Sequence, residues 1–217
     1  KKFDLRTYML IASTKPFLVF YHEGFVRRSG TAYVNGTFSK LGHITNHKSQ
    51  DKQAGHFWSF EQLENYLVDE QGFPAGYMGT EFRNYVKHVT NYIFQAARFR
   101  LKRRSGAFML FGLDWMIDQG RNVHFLEANG NPTIQNYEGT NLGPRIWNTM
   151  ASLVTLVQRE PETLNKGGDM TVRQGFKYAG WELVFNEAEE LISGKSYNAC
   201  QLPEYEECKD PDRCPVW

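Results

Sequence analysis

Residues 107–128 constrain this chain more than any other stretch. Two apolar, alternating segments, Ala107 to Ile117 and Val123 to Ala128, flank the turn Asp118-Gln119-Gly120-Arg121-Asn122. Parallel strands need a crossover of a dozen residues or more, so a connection this short closes only an antiparallel hairpin. With Asp118 set opposite Val123, the register brings Asp114 opposite Glu127 on one face of the ribbon. Directly opposed side chains have Cβ atoms roughly 5 Å apart, and like charges at that separation repel. The neighbouring Leu110, Met116, Phe125 and Leu126 predict a half-buried site. Something positive must offset the two acids. A hard divalent cation would do so, because Mg²⁺ takes one or two carboxylates together with phosphate oxygens. Lys or Arg partners, or a shared proton, would serve as well. Asn129 continues the same face and adds an amide oxygen.

The rest of the chain supplies the frame. Lys1 to Ala12 reads as a strand, with Lys2, Asp4 and Arg6 on one face and Phe3 and Leu5 on the other. Three charges on one face predict a surface that is either solvated or turned toward a ligand. Phe17 to Tyr21 reads as a buried strand, Glu23-Gly24 as a turn, and Phe25 to Arg28 as a further extended segment carrying Arg27. Residues 29–56 form a long polar loop. Ser59 caps a helix that runs to about Val68. A longer helix covers Thr80 to Arg103, with Phe82, Tyr85, Val86, Val89, Ile93 and Phe94 at helical spacing. A third helix begins near Pro144 and buries Ile146, Met150, Leu153, Val154 and Val157. Phe176 to Ile192 reads as a last helix with Leu183, Val184, Ala188 and Leu191 inward, followed by an irregular acidic tail. The order of elements predicts an α+β fold with an antiparallel sheet flanked by helices.

Composition narrows the function classes. The 217 residues carry 25 Lys and Arg against 24 Asp and Glu, a formal charge of +1, which excludes nucleic-acid binding by bulk charge. No uninterrupted apolar run is long enough for a bilayer-spanning helix, so no membrane partner is expected. Cys200, Cys208 and Cys214 match neither a disulfide framework nor the usual zinc spacings, and read as reduced thiols of a cytosolic protein. His43, His47 and His56 read as solvated loop histidines. The run Arg98, Arg100, Lys102, Arg103, Arg104 offsets a helix dipole or offers a patch to an acidic partner.

Five blocks in order carry a resemblance. They are Lys2-Phe3-Asp4-Leu5-Arg6, Tyr21-His22-Glu23-Gly24-Phe25-Val26-Arg27, Gly42-His43-Ile44-Thr45-Asn46-His47, Phe111-Gly112-Leu113-Asp114, and Phe125-Leu126-Glu127-Ala128-Asn129-Gly130-Asn131-Pro132. Together they resemble the tubulin–tyrosine ligase family over residues 2 to about 160. The resemblance implies an ATP-grasp fold and an ATP- and Mg²⁺-dependent ligase. Such an enzyme joins a free amino acid (tyrosine, glutamate or glycine) to a tubulin C-terminal tail through an acyl phosphate. It implies Asp114, Glu127 and Asn129 as Mg²⁺ ligands, Lys2 and Asp4 as nucleotide contacts, and Arg6 and Arg27 as arginines near the terminal phosphate and the acceptor carboxylate. Thr45 and Asn46 match a loop that approaches the same site. The family's lysine over the phosphates and its adenine hinge lie upstream of the first block. Residues 1–193 are therefore expected to be the C-terminal part of a catalytic domain, with 194–217 as its tail. The His-Ile-Thr-Asn-His block and the Glu-x-Asn-Gly ending lean toward tyrosine transfer. A polyglutamylase or a non-catalytic tubulin-binding member is the alternative.

Overall fold

The computed structural model describes residues 1–45, 56–134, 142–159 and 175–188. Its centre is an antiparallel sheet. Two long strands, β1 (Phe3–Thr14) and β2 (Phe17–Arg28), form the middle hairpin. The short β3 (Phe57–Trp58) pairs with the far end of β2. The expected ribbon follows as β4 (Met109–Ile117) and β5 (Val123–Asn129). A second small hairpin, β6 (Lys177–Tyr178) and β7 (Trp181–Asn186), joins the other side of β2. The strand order is β5-β4-β1-β2-β7-β6, which leaves β5 as an edge strand.

Helices cover both faces. A short α1 (Lys40–His43) lies in the loop after β2. Helix α2 (Phe60–Gln71) opens with the expected cap: Ser59 Oγ accepts from Gln62 N, and Gln62 Oε1 accepts from Ser59 N. Helix α3 (Arg83–Ala97) is preceded by a π-helical turn and followed by a 3₁₀ turn over Arg98–Arg100, so the predicted single helix has three parts. Helix α4 (Leu142–Arg159) buries the five residues its periodicity predicts. Alternation along β1 divides the core between these helices. Leu5, Met9 and Ile11 pack with Leu63 and Leu67 of α2 and Val86 and Phe94 of α3. Tyr8, Leu10 and Ala12 pack with Ile146, Met150 and Leu153 of α4. Among the described residues no helix is long and apolar enough to cross a membrane.

Two strand segments depart from the sequence reading, at Glu23-Gly24 and at residues 176–186. Glu23-Gly24 is no turn: β2 runs through it, and the pairing skips Gly24 as a bulge between Phe25, opposite Arg6, and Glu23, opposite Thr7. Residues 176–186 are a hairpin, not the start of a helix. Ala179 and Gly180 both have positive φ, 49° and 94°, which is the mirror-image two-residue turn that suits strand twist. The described part of the expected helix therefore alternates about the sheet, and the remainder lies outside the described residues, as do Cys200, Cys208, Cys214, His47 and the tail.

His22 joins the second hairpin to the core. It is buried, its ring lies 4.8 Å from that of Trp181, and its Nδ1 donates to the Glu23 carbonyl. Burial pushes its pKa from 6.5 down to about 4, with Arg145 and Arg83 adding to the effect. The folded state thus binds fewer protons than the unfolded chain between those two values. Stability is complete above pH 6.5 and is lost as the pH falls toward 4. The shift corresponds to about 3 kcal/mol. A His22→Gln variant is expected to lose most of the difference in thermal midpoint between pH 7 and pH 5; an undiminished difference would assign it to other groups.

Candidate active site

The two acids face each other, but by a different route from the expected one. At the turn Ile117, not Asp118, pairs with Val123, and Trp115 pairs with Phe125. Leu126 is then an extra residue on β5, and beyond this bulge Asp114 pairs with Glu127 and Gly112 with Asn129. The bulge keeps Phe125 on the Trp115 side, with ring centroids 5.2 Å apart, and sets Glu127 on the Asp114 side. Arg6 is in turn opposite Asp114. Arg6, Asp114 and Glu127 therefore form one row across β1, β4 and β5.

Burial differs sharply along that row. Asp4, Arg6 and Asp114 are 3%, 5% and 4% exposed, so this face of β1 is not solvated. Glu127 and Asn129 on the edge strand are exposed, as are Phe125 and Leu126. The half-buried site expected from the sequence is thus a buried acid beside an open one.

Arginines neutralise the buried acid. Arg6 grips Asp114 with two parallel contacts, Nε to Oδ1 and Nη2 to Oδ2, the second at 2.8 Å. Arg27 reaches the same Oδ2 with Nη2 at 3.0 Å. Arg27 also donates from Nε and Nη2 to Asp4 Oδ2, the first contact at 2.6 Å. Two guanidiniums and two carboxylates balance in a compact, desolvated cluster, with the planar fork of arginine matched to carboxylate geometry. Burial alone would raise the Asp114 carboxyl, but hydrogen bonds and charge from Arg6 and Arg27 hold it below its ordinary value. Burial raises the Asp4 carboxyl, with Arg27 and the Thr45 hydroxyl opposing. Among the described residues Asp4 Oδ1 is buried without a hydrogen bond of its own.

Gly112 makes room for this cluster, a role the sequence reading missed. A Cβ at Gly112 would stand 2.7 Å from Arg6 Nη1 and 2.9 Å from Pro132 Cβ. A side chain there would push Arg6 off Asp114. The signal was present in Phe111-Gly112-Leu113-Asp114, where a glycine interrupts an otherwise apolar strand two residues before the acid.

The remaining expected residues lie around this cluster. Lys2 is half-buried just before β1, its N–H bonded to Ser29 Oγ. Asn129 Oδ1 accepts from Asn131 N at 3.0 Å. Asn46 lies outside the described residues. Of the loop histidines, His43 bonds Ser39, whereas His56 is buried and not solvated. Of the five cations near the end of α3, Arg103 is taken by Glu187 and Arg98 lies over Phe185.

The chemistry of the donors bears on a metal. Asp114, Glu127 and Asn129 offer hard oxygen, the type that suits Mg²⁺ completed by phosphate oxygens. Both Asp114 oxygens already serve arginines, yet an ionised carboxylate retains further lone pairs. Among the described residues no group of three or more His, Cys, Asp or Glu forms a self-sufficient metal cage. The set therefore fits a cation delivered with phosphate and not one held by protein alone.

Comparison with known proteins adds a family. Protein polyglycylase TTLL10 of Rattus norvegicus is 33% identical over 145 residues, covering 62% of this chain and 21% of that protein. Inactive polyglycylase TTLL10 of Homo sapiens is 31% identical over 145 residues, covering 62% and 22%. Tubulin monoglutamylase TTLL4 of Homo sapiens is 26% identical over 153 residues, covering 61% and 13%. The chain spans about a fifth or less of the length of these curated relatives. The profile of the Tubulin-tyrosine ligase family matches residues 1–162, a span that contains the whole arginine–carboxylate cluster and the edge strand beside it. This α+β chain, with an ATP-grasp-like antiparallel sheet flanked by helices, belongs to the Tubulin-tyrosine ligase family.

Proposed function

We propose that this chain is part of an ATP- and Mg²⁺-dependent ligase that adds an amino acid to the C-terminal tail of tubulin. The observation that carries the reading is the row Arg6–Asp114–Glu127. It sets the buried Arg6 guanidinium beside Asp114, and Asp114 beside Glu127, on three successive strands. Phosphoryl transfer asks for positive charge aimed at phosphate and carboxylate oxygens, together with ligands for a cation. In the proposed reaction the acceptor carboxylate attacks the γ-phosphorus of ATP and ADP leaves. The amine of the incoming amino acid then displaces phosphate, and its surplus proton passes to solvent as the amide forms. Mg²⁺, when bound, supplies neutralisation of the phosphate oxygens. Arg6 and Arg27 hold the carboxylate and phosphate charges together and orient them. Asp114, Glu127 and Asn129 are the residues that would hold the cation, and Lys2, Asp4 and Asn46 are the residues proposed to contact the nucleotide.

The amino acid remains a choice among three. Two short blocks lean toward tyrosine, but the relatives named above are glycylases and a glutamylase. We therefore place glycine and glutamate ahead of tyrosine. A second reading, a tubulin-binding member without catalysis, is favoured by the human relative named as inactive. Both are tested by incubating the full-length protein with tubulin, ATP, Mg²⁺ and each of labelled glycine, glutamate and tyrosine. Incorporation that requires both ATP and Mg²⁺ is the expected result, with a cytoskeletal location to match. Retention of tubulin with no incorporation would move the protein to the second reading.

A further inference from the structure

We propose that Asp4 is a positioning residue that fixes Arg27, so that the two arginines divide their work: Arg27 stays in place while Arg6 is exchanged. The inference rests on the proposed reaction and assigns Asp4 a task other than nucleotide contact. The geometry is asymmetric. Among the described residues Arg6 has one carboxylate partner, Asp114, whereas Arg27 has two, Asp4 and Asp114. Asp4 Oδ2 takes both Nε and Nη2 of Arg27 from within the sheet, where Asp4 stands directly opposite Arg27 in the β1–β2 register. A cation on Asp114 would weaken every guanidinium contact to that carboxylate. Arg6 would lose its one ionic anchor among the described residues and become free to follow an incoming anion. Arg27 would keep its fork on Asp4. Without Asp4, both arginines would leave together and the site would lose its fixed positive reference.

The test uses the full-length protein and two readouts. The first is a double-mutant cycle over Asp4→Asn and Arg27→Gln, with kcat from ligation and affinity from calorimetry with Mg²⁺ and a non-hydrolysable ATP analogue. Asp4→Asn is expected to lower kcat at least about tenfold at saturating nucleotide, and to add less than about twofold to the kcat defect of Arg27→Gln. Multiplying effects would overturn the proposal, as would a loss of analogue affinity with kcat unchanged. The second readout needs no turnover: the Nε–H NMR signals of the arginines. On adding Mg²⁺ and the analogue, the Arg6 signal is expected to shift while that of Arg27 holds, and in Asp4→Asn both should move. Joint movement in the wild type rejects the idea even if the protein ligates nothing, which keeps it separate from failure of the ligase reading. Should Asp4→Asn fail to fold, Asp4→Glu keeps the charge but displaces the carboxylate by one methylene. A lowered kcat at saturating nucleotide is then expected, and a wild-type kcat overturns the proposal.

Discussion

Glu127→Gln is expected to leave the fold intact and to abolish turnover in the full-length protein. The side chain is exposed on the edge strand, and among the described residues no hydrogen bond or ion pair depends on it. Glutamine keeps its size and shape. Surface changes of this kind stay within about 0.5 kcal/mol of wild type. Removing the charge also relieves repulsion with Asp114 across the ribbon. In the proposed reaction the loss falls instead on the cation. Of the three oxygen donors on this face, Asp114 is already shared with two arginines, and Asn129 is neutral and bonded to Asn131 N. Glu127 is the donor with its full charge unspent. Neutralising it should reduce ligation by more than about a hundredfold and raise the Mg²⁺ concentration needed for whatever rate remains. Rates measured across a Mg²⁺ titration, beside thermal unfolding, check both halves. Wild-type ligation in this variant would falsify the metal assignment.

Much of this architecture is legible in the residue pattern, and the reasons it fails elsewhere are physical. Helix α4 shows its buried stripe because one face packs on one layer, so the period survives. Ser59 and Gln62 announce α2 because a cap is a local contract between residues three apart. The pairing of Asp114 with Glu127 follows from alternation, yet the assumed register at the turn was off by one and the bulge at Leu126 restored it. A bulge is decided by what Trp115 and Phe125 pack against, and no local pattern carries that. The same applies to residues 176–186. Leu183 and Val184 fit a helical stripe as well as a strand, and only the Ala179-Gly180 turn and pairing with β2 decide between them. The least legible feature is the charge balance. Arg6 and Asp114 are 108 positions apart, so a row of alternating charges on β1 reads as a wet face until β4 is laid beside it.

Asp114→Ala should produce the largest loss of stability of any single change at the cluster. Among the described residues its removal leaves Arg6 buried with no carboxylate, and Asp4 alone to serve Arg27. Breaking a buried pair from one side costs about 3–5 kcal/mol, because the surviving charge has given up water for nothing. For a chain of this size that lowers the thermal midpoint by roughly 6–20 °C. The pH dependence identifies the cause. Burial pushes the Asp114 carboxyl up, but Arg6 and Arg27 more than reverse it and hold it below 3.8. A carboxyl depressed in the folded state contributes fully above the unfolded value and loses that contribution as the pH falls through its folded one. The gap between wild type and variant should therefore be constant from pH 7 down to about 5 and close below 3.8. A gap that persists at low pH would mean that the cavity, and not the charge, dominates. The double variant Arg6→Met with Asp114→Leu separates the two from the other side. It removes one charge of each sign, leaves Asp4 and Arg27 matched, and fills the space with apolar atoms. Its midpoint should lie above that of Asp114→Ala although it alters twice as many residues, because a buried ion pair adds little to the fold over apolar atoms of similar volume, while its ligation should be lost, because in the proposed reaction the charges of the cluster act on the substrate.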